Sequence, residues 1–175
     1  ELVTQVGNQR MVYNGRRAAV EILRSGALGK AIKAYAWTGS PNAGNYFNFE
    51  HKLSEPIDPP AHLDWGLWLG PCQPKEFRDH LIPLKWRSWW DHGGGGLGDW
   101  GVHVLDVIFF GYDELTSPIA VVTHTPAVVD PFHAYPCQST ITYAVDSPNF
   151  LNKHFPIYYN DRAQMPSRAS LGLPP

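Results

Sequence analysis

Three polar residues stand in an otherwise apolar segment that is predicted to be helical from Leu97 to Phe110. They are Asp99, His103 and Asp106, and spacings of four and three residues place them along one face of such a helix. A carboxylate one turn from an imidazole can hold one ring nitrogen and leave the other free to move a proton. Oxidation of an alcohol needs such a base. The spacing therefore predicts a site with His103 and Asp99 as the proton-transfer pair and Asp106 as a substrate-binding residue.

Each member of this stripe also has a structural explanation. Asp99 falls in the first turn of the predicted helix, where the helix dipole and the free amide groups favour an acidic residue. His103 is compatible with a core histidine that bonds a nearby carbonyl. A metal site formed by Asp99, His103 and a further ligand is another alternative. The residue types alone leave these alternatives open.

Aromatic residues and glycines precede the stripe. Because sugars stack their CH faces on indole rings and a guanidinium can donate to hydroxyls, Trp86, Trp90 and Arg87 are candidate sugar-binding residues. Burial in the core, worth roughly 2–3 kcal/mol for each ring, is the expectation for two of the three indoles of Trp86, Trp89 and Trp90. The glycines of the run 93–96 allow a ligand or another backbone to approach closely. This run does not follow a predicted strand, as a dinucleotide-binding turn must.

A long segment without clear periodicity, residues 39–62, is rich in Asn, Pro, Gly and aromatic residues. Loops of this length in compact domains are usually functional or flexible. Tyr46, Phe47 and Phe49 within it are candidates for a mobile substrate lid.

Hydrophobic periodicity predicts an α+β fold, with a mainly antiparallel open sheet and helices on one face. The helix at 10–25 presents Val12, Ala19, Val20, Ile22 and Leu23 near one face, and Gly26 is expected to cap it in the left-handed conformation. Helices are predicted at 10–25, 63–69 and 97–110, and strands at 2–6, 30–38, 119–125, 139–145 and 155–159.

Composition excludes several classes of protein. The 175 residues are 43% apolar and 17% charged, which is typical of one globular domain. A net charge of −2 without a basic stripe argues against a nucleic-acid partner, and no apolar run is long enough to predict a membrane span. Cys72 and Cys137 form neither a disulfide framework nor a zinc motif, so two buried free thiols are expected. The compartment, cytoplasmic or periplasmic, stays open.

Four segments resemble the Gfo/Idh/MocA family, the relatives of glucose–fructose oxidoreductase and inositol dehydrogenase. They are residues 4–9, 25–30, 63–71, and 86–91 continued by 95–103. The resemblance implies an N-terminal Rossmann domain that binds NAD or NADP and a C-terminal domain whose open sheet builds a homo-oligomer. Residues 1–9 then correspond to the last strand and turn of the nucleotide-binding domain, and 10–175 to a shortened C-terminal domain. The family's Asp and His fall on Asp99 and His103.

The resemblance and the residues together leave three functions open. The first is a sugar or polyol oxidoreductase that transfers a hydride to NAD or NADP. The second is a glycoside hydrolase that acts by transient oxidation. The third is a non-catalytic fragment that binds carbohydrate or a partner protein. Because no glycine turn that could cradle a phosphate stands between a predicted strand and a helix, we expect the chain by itself to bind neither NAD nor NADP.

Overall fold

A computed structural model describes residues 2–5, 7, 9–38, 54–79, 81–123, 138–160 and 166–174. Four helices and four strands lie in these ranges: α1 (Asn14–Arg24), β1 (Ala34–Trp37), α2 (Trp65–Leu69), α3 (Gly95–Val104), α4 (Asp106–Gly111), β2 (Pro118–Thr123), β3 (Gln138–Ala144) and β4 (His154–Asn160). Short 3₁₀ helices occupy Gln9–Val12, Lys85–Ser88 and Ala169–Leu171. None of the described helices combines the length and the apolar character that crossing a bilayer requires.

The four strands form one open sheet in the order β1-β4-β3-β2. β2 pairs with β3 and β3 with β4 in antiparallel register, whereas β1 joins β4 in parallel. The prediction of an α+β fold with a mainly antiparallel open sheet is confirmed. The sheet is mixed, because one of its three strand pairs is parallel. Parallel neighbours cannot be joined by a tight turn. The long stretch of chain between β1 and β4 is therefore what allows these two strands to pair in parallel.

Alternation along the central strands builds the core. Ile141 and Tyr143 of β3 lie on the same sheet face as Phe155, Ile157 and Tyr159 of β4, and all five side chains are buried. Leu105, Tyr112 and Leu115 pack onto this face, and Phe109 of α4 meets Tyr143 edge to face at 5.9 Å. The described helices that cover the sheet do so on this face, as the sequence predicts.

Helix α1 is fastened to the end of α4 by one arginine. Arg24 donates to the carbonyl of Phe110 at 2.8 Å and forms an ion pair with Asp113 at 2.9 Å. Ser25 closes α1, and Gly26 follows with a φ of 72°, the left-handed conformation expected of a helix cap. The amphipathic face is less buried than predicted, because Val12 is 67% and Ile22 is 47% exposed.

The structure corrects three further predictions. Residues 2–5 form no strand, and Leu2 and Val3 are fully exposed, because no strand in the described part of the chain lies beside them to supply hydrogen-bond partners. The helix predicted at 97–110 is broken at Leu105 into α3 and α4. Cys72 is a free thiol but exposed rather than buried, since it follows the turn that ends α2; Cys137 lies outside the described residues.

A second, smaller cluster lies beside the main core. Leu81 and Trp89 are buried there, with Trp65 and Ile82 packed against them. The indole of Trp65 stacks on Trp68 with a ring separation of 4.7 Å. This cluster belongs to residues 54–92, which lead directly into the glycine run and α3. The aromatic segment therefore forms a compact support at the N-terminal end of α3.

Candidate functional site

Helix α3 carries the two residues predicted to transfer the proton. Asp99 and His103 are one turn apart on this helix, and both side chains are partly buried. Asp106 lies beyond the break at Leu105, in the first turn of α4, where an acidic residue complements the helix dipole. The structure therefore keeps Asp99 and His103 on one helix, and Asp106 follows an interruption at Leu105, whose own backbone stays in the α-helical region.

Asp99 is paired with Arg87 and not with His103. The Nε of Arg87 lies 3.1 Å from Oδ2 of Asp99, and the two side chains are 21% and 35% exposed. A second contact fixes the guanidinium, because Nη1 donates to the carbonyl of Leu84 at 3.0 Å. The guanidinium carbon also lies over the ring of Trp86, 4.8 Å from its centre. Arg87 is thus a rigid partner that holds the Asp99 carboxylate in one place.

His103 keeps a nitrogen available. Its Nδ1 is buried and has no hydrogen-bond partner within the described part of the chain. Its ring meets Trp100 edge to face at 5.9 Å, and Arg10 lies over the same indole at 5.0 Å. Arg16 of α1 donates to the backbone carbonyl of His103. The backbone of His103 is anchored by α1, while the Nδ1 of its imidazole makes no hydrogen bond within the described residues.

The glycine run serves the packing of the backbone. A Cβ on Gly93 would lie 2.6 Å from both the Cα and the carbonyl oxygen of Arg87, too close for any side chain. Of the two roles predicted for these glycines, close approach of a backbone is the one observed at Gly93.

The glycine run also has the sequence pattern of a dinucleotide-binding turn. Residues 93–98 satisfy the letter pattern GxGxxG, but they follow a 3₁₀ helix and a turn instead of a strand. With Gly93 closed against Arg87, these residues do not fit the diphosphate of a dinucleotide. No nucleotide contact is assigned to them.

The three neighbouring indoles have different environments. Trp89 is 2% exposed and belongs to the small core cluster. Trp86 is partly buried between Arg87 and Trp68, whereas Trp90 is 50% exposed. Trp90 is thus the indole with most surface available to a sugar. The predicted lid residues Tyr46, Phe47 and Phe49 lie outside the described residues.

Sequence reasoning missed a cleft whose wall includes part of the aromatic support. A cavity of about 390 Å³ is lined by a Lys75–Asp91 ion pair, His92, Arg78 and the edge of Trp89. Burial lowers the pKa of His92; Asp91 opposes that shift and Lys75 adds to it. The ion pair joins residues far apart in sequence, so no local motif announces it. Within the described ranges, no three His, Cys, Asp or Glu side chains are grouped as metal ligands.

Comparison with known proteins agrees with the resemblance seen in the sequence. Residues 16–147, about three quarters of the chain, match the family profile described as the oxidoreductase family, C-terminal alpha/beta domain. No curated protein sequence matches the chain significantly. The matched range includes most of α1, the aromatic support, Asp99 and His103, and it ends just beyond β3. The chain therefore belongs to the Gfo/Idh/MocA oxidoreductase family and carries its C-terminal α/β domain.

Proposed function

We propose that this domain binds the sugar or polyol substrate of a nicotinamide-dependent oxidoreductase and that His103 takes the proton of the reacting hydroxyl. The observation that carries the proposal is the buried Nδ1 of His103, which has no hydrogen-bond partner in the described residues. A buried polar atom left without a partner costs about 1–3 kcal/mol, so a hydroxyl that supplies the missing hydrogen bond is bound favourably. Family membership supports the reaction class.

The neighbouring residues support a division of labour. Arg87 neutralises Asp99 and holds its carboxylate, which can still accept a hydrogen bond from a substrate hydroxyl. Because Asp99 is occupied by Arg87, His103 is not locked into a salt bridge and its basic nitrogen can accept a proton. In this assignment Asp99 and Arg87 orient the substrate, Trp90 offers an indole face to the sugar ring, and Asp106 extends the polar surface beyond the helix break.

The cofactor part of the proposal rests on the family. A nicotinamide supplies hydride chemistry when it is bound, and NAD or NADP is the proposed oxidant. The described residues contain no turn that fits the diphosphate of NAD or NADP. The role of His103 therefore does not depend on a contact between this domain and the diphosphate. Whichever group receives the hydride, the hydroxyl proton must leave, and the contribution we assign to this domain is to receive it.

Nitrogen NMR of the histidine side chains tests the proposal directly. The protein, labelled with ¹⁵N at histidine, is titrated with glucose, sorbitol and inositol, and His103 is assigned with a His103→Asn variant. We expect a saturable shift of the His103 Nδ1 signal as it accepts a hydroxyl hydrogen bond. The exposed His62 provides the control and should not respond. An unchanged His103 signal with all three compounds would contradict the proposed role.

A further inference from the structure

We infer that the cleft lined by Lys75, Asp91 and His92 is a second carbohydrate-binding site, which takes a neutral saccharide of at least two rings. Its volume of about 390 Å³ falls within the range of about 300–1,000 Å³ usual for small-molecule sites. Asp91 and His92 line the cleft, and the chain then passes through two glycines into α3, which carries Asp99 and His103. The claim that the saccharide is the substrate rests on the proposed function; the claim that it binds here does not.

Hydrogen bonding and ring contacts to two indoles hold the lining of the cleft. The indole nitrogen of Trp65 donates to the backbone carbonyl of Lys75 at 2.6 Å and holds the segment that carries the ammonium group. Lys75 in turn forms the ion pair with Asp91. The ring of His92 meets the edges of Trp65 and Trp68 at 6.2 and 5.5 Å. Polar groups that are held in place before a ligand arrives lose less conformational entropy on binding.

The charges of the lining favour a neutral ligand with many hydroxyls. Lys75 and Asp91 form one ion pair, and Arg78 and Glu76 form another at 3.4 Å, so the four charges cancel. A phosphorylated or carboxylated ligand would gain no net attraction from such a wall. Hydroxyls both donate and accept, and neighbouring pairs of them match an ammonium beside a carboxylate. The lowered pKa of His92 keeps its ring neutral, able to donate from one nitrogen and accept at the other.

The size of the ligand follows from an adjoining cavity. A second space of about 510 Å³ is lined by Asp58, Trp65 and Phe77, and it shares Lys75 and Glu76 with the first. Phe77 is buried behind Trp65, whose ring meets it edge to face at 5.2 Å. The two cavities thus meet at one short backbone segment, and each has an indole in its wall. A saccharide with two linked rings can place one ring in each cavity.

Saturation-transfer NMR with cellobiose, maltose and lactose tests this inference, with glucose and glucose 6-phosphate as one-ring and charged comparisons. We expect at least one disaccharide to bind more tightly than either comparison compound. The double change Lys75→Met with Asp91→Asn removes both charges together and should weaken that binding about tenfold or more, the usual effect of losing charged hydrogen bonds. Glu76→Gln, at a side chain that is mostly exposed, should weaken it less and is the variant least able to disturb folding.

Two matched variants separate the two sites. Lys153→Met removes an exposed lysine from the turn between β3 and β4 and should leave disaccharide binding unchanged. The weakening caused by the double change should persist in a His103→Asn background, because His103 does not line the cleft. Unaltered binding in both the double variant and Glu76→Gln, preference for glucose 6-phosphate, or no binding of any disaccharide would each overturn the inference. Loss of binding in His103→Asn but not in the cleft variants would overturn it while supporting the proposed function.

Discussion

Replacing Gly93 with alanine should damage the support of the site from a distance. The added Cβ would lie 2.6 Å from the Cα and the carbonyl oxygen of Arg87 and 2.8 Å from its carbonyl carbon. These are backbone atoms that cannot rotate away, so the turn itself must move. Overpacking of this kind costs about 1–3 kcal/mol of unfolding free energy. The same movement displaces the Arg87 guanidinium from Asp99.

Gly98, on the helix α3 that follows, provides the matched control. An added Cβ there has no neighbour within 4 Å, and alanine in a helix interior is favoured over glycine by about 0.5–1 kcal/mol. Urea unfolding followed by tryptophan fluorescence should therefore show Gly93→Ala destabilised and Gly98→Ala unchanged or stabilised. A Gly93→Ala protein within about 0.5 kcal/mol of wild type, or equal losses in both variants, would refute the assignment of Gly93 to this contact.

Three further predictions concern acid stability, association and cofactor binding. Hydrogen bonds from Ser147 and, less strongly, Asn149 lower the pKa of Glu114, so its contribution to stability is present above the ordinary glutamate pKa and is lost as pH falls through the lowered value. Acid unfolding of Glu114→Gln should show a weaker pH dependence there. Strand β2 is an exposed, uncharged edge, so analytical ultracentrifugation should show oligomers that Val121→Lys reduces, and a 19.6 kDa monomer alone would contradict this. Calorimetry should detect no binding of NAD or NADP to this chain tighter than about 10 μM; tighter binding would overturn the expectation.

The sheet could be predicted because its signal is local. Alternation of apolar and polar residues fixes β3 and β4, where Ile141 and Ile157 face the core, and the structure places both strands within a residue or two of the prediction. The strand predicted at residues 2–6 was wrong because strand formation there depends on a contact that is not local. A strand needs a partner, and the pattern of Leu2 and Val3 carries no information about whether one is present.

The placement of the candidate residues on one helix could be predicted, whereas their contacts could not. The spacing of Asp99 and His103 placed them on one helix, but the pairing of Asp99 with Arg87 depends on a turn that brings together residues twelve positions apart. The break at Leu105 had a signal in Asp106, because an acidic residue in a first helical turn also marks the start of a new helix. The cleft at Lys75 and Asp91 had no signal in the sequence, because these two residues are sixteen positions apart and form their ion pair only in the folded chain.

Turnover of a His103→Asn variant is the most direct test of the central claim that His103 receives the substrate proton. The measurement uses the protein as its gene encodes it, with NAD or NADP and a sugar alcohol that the wild type oxidises. Asparagine keeps much of the volume but cannot take the proton, so kcat should fall on the order of 10²–10⁴-fold with little change in thermal stability. Turnover equal to wild type in a folded variant would show that His103 is a structural residue.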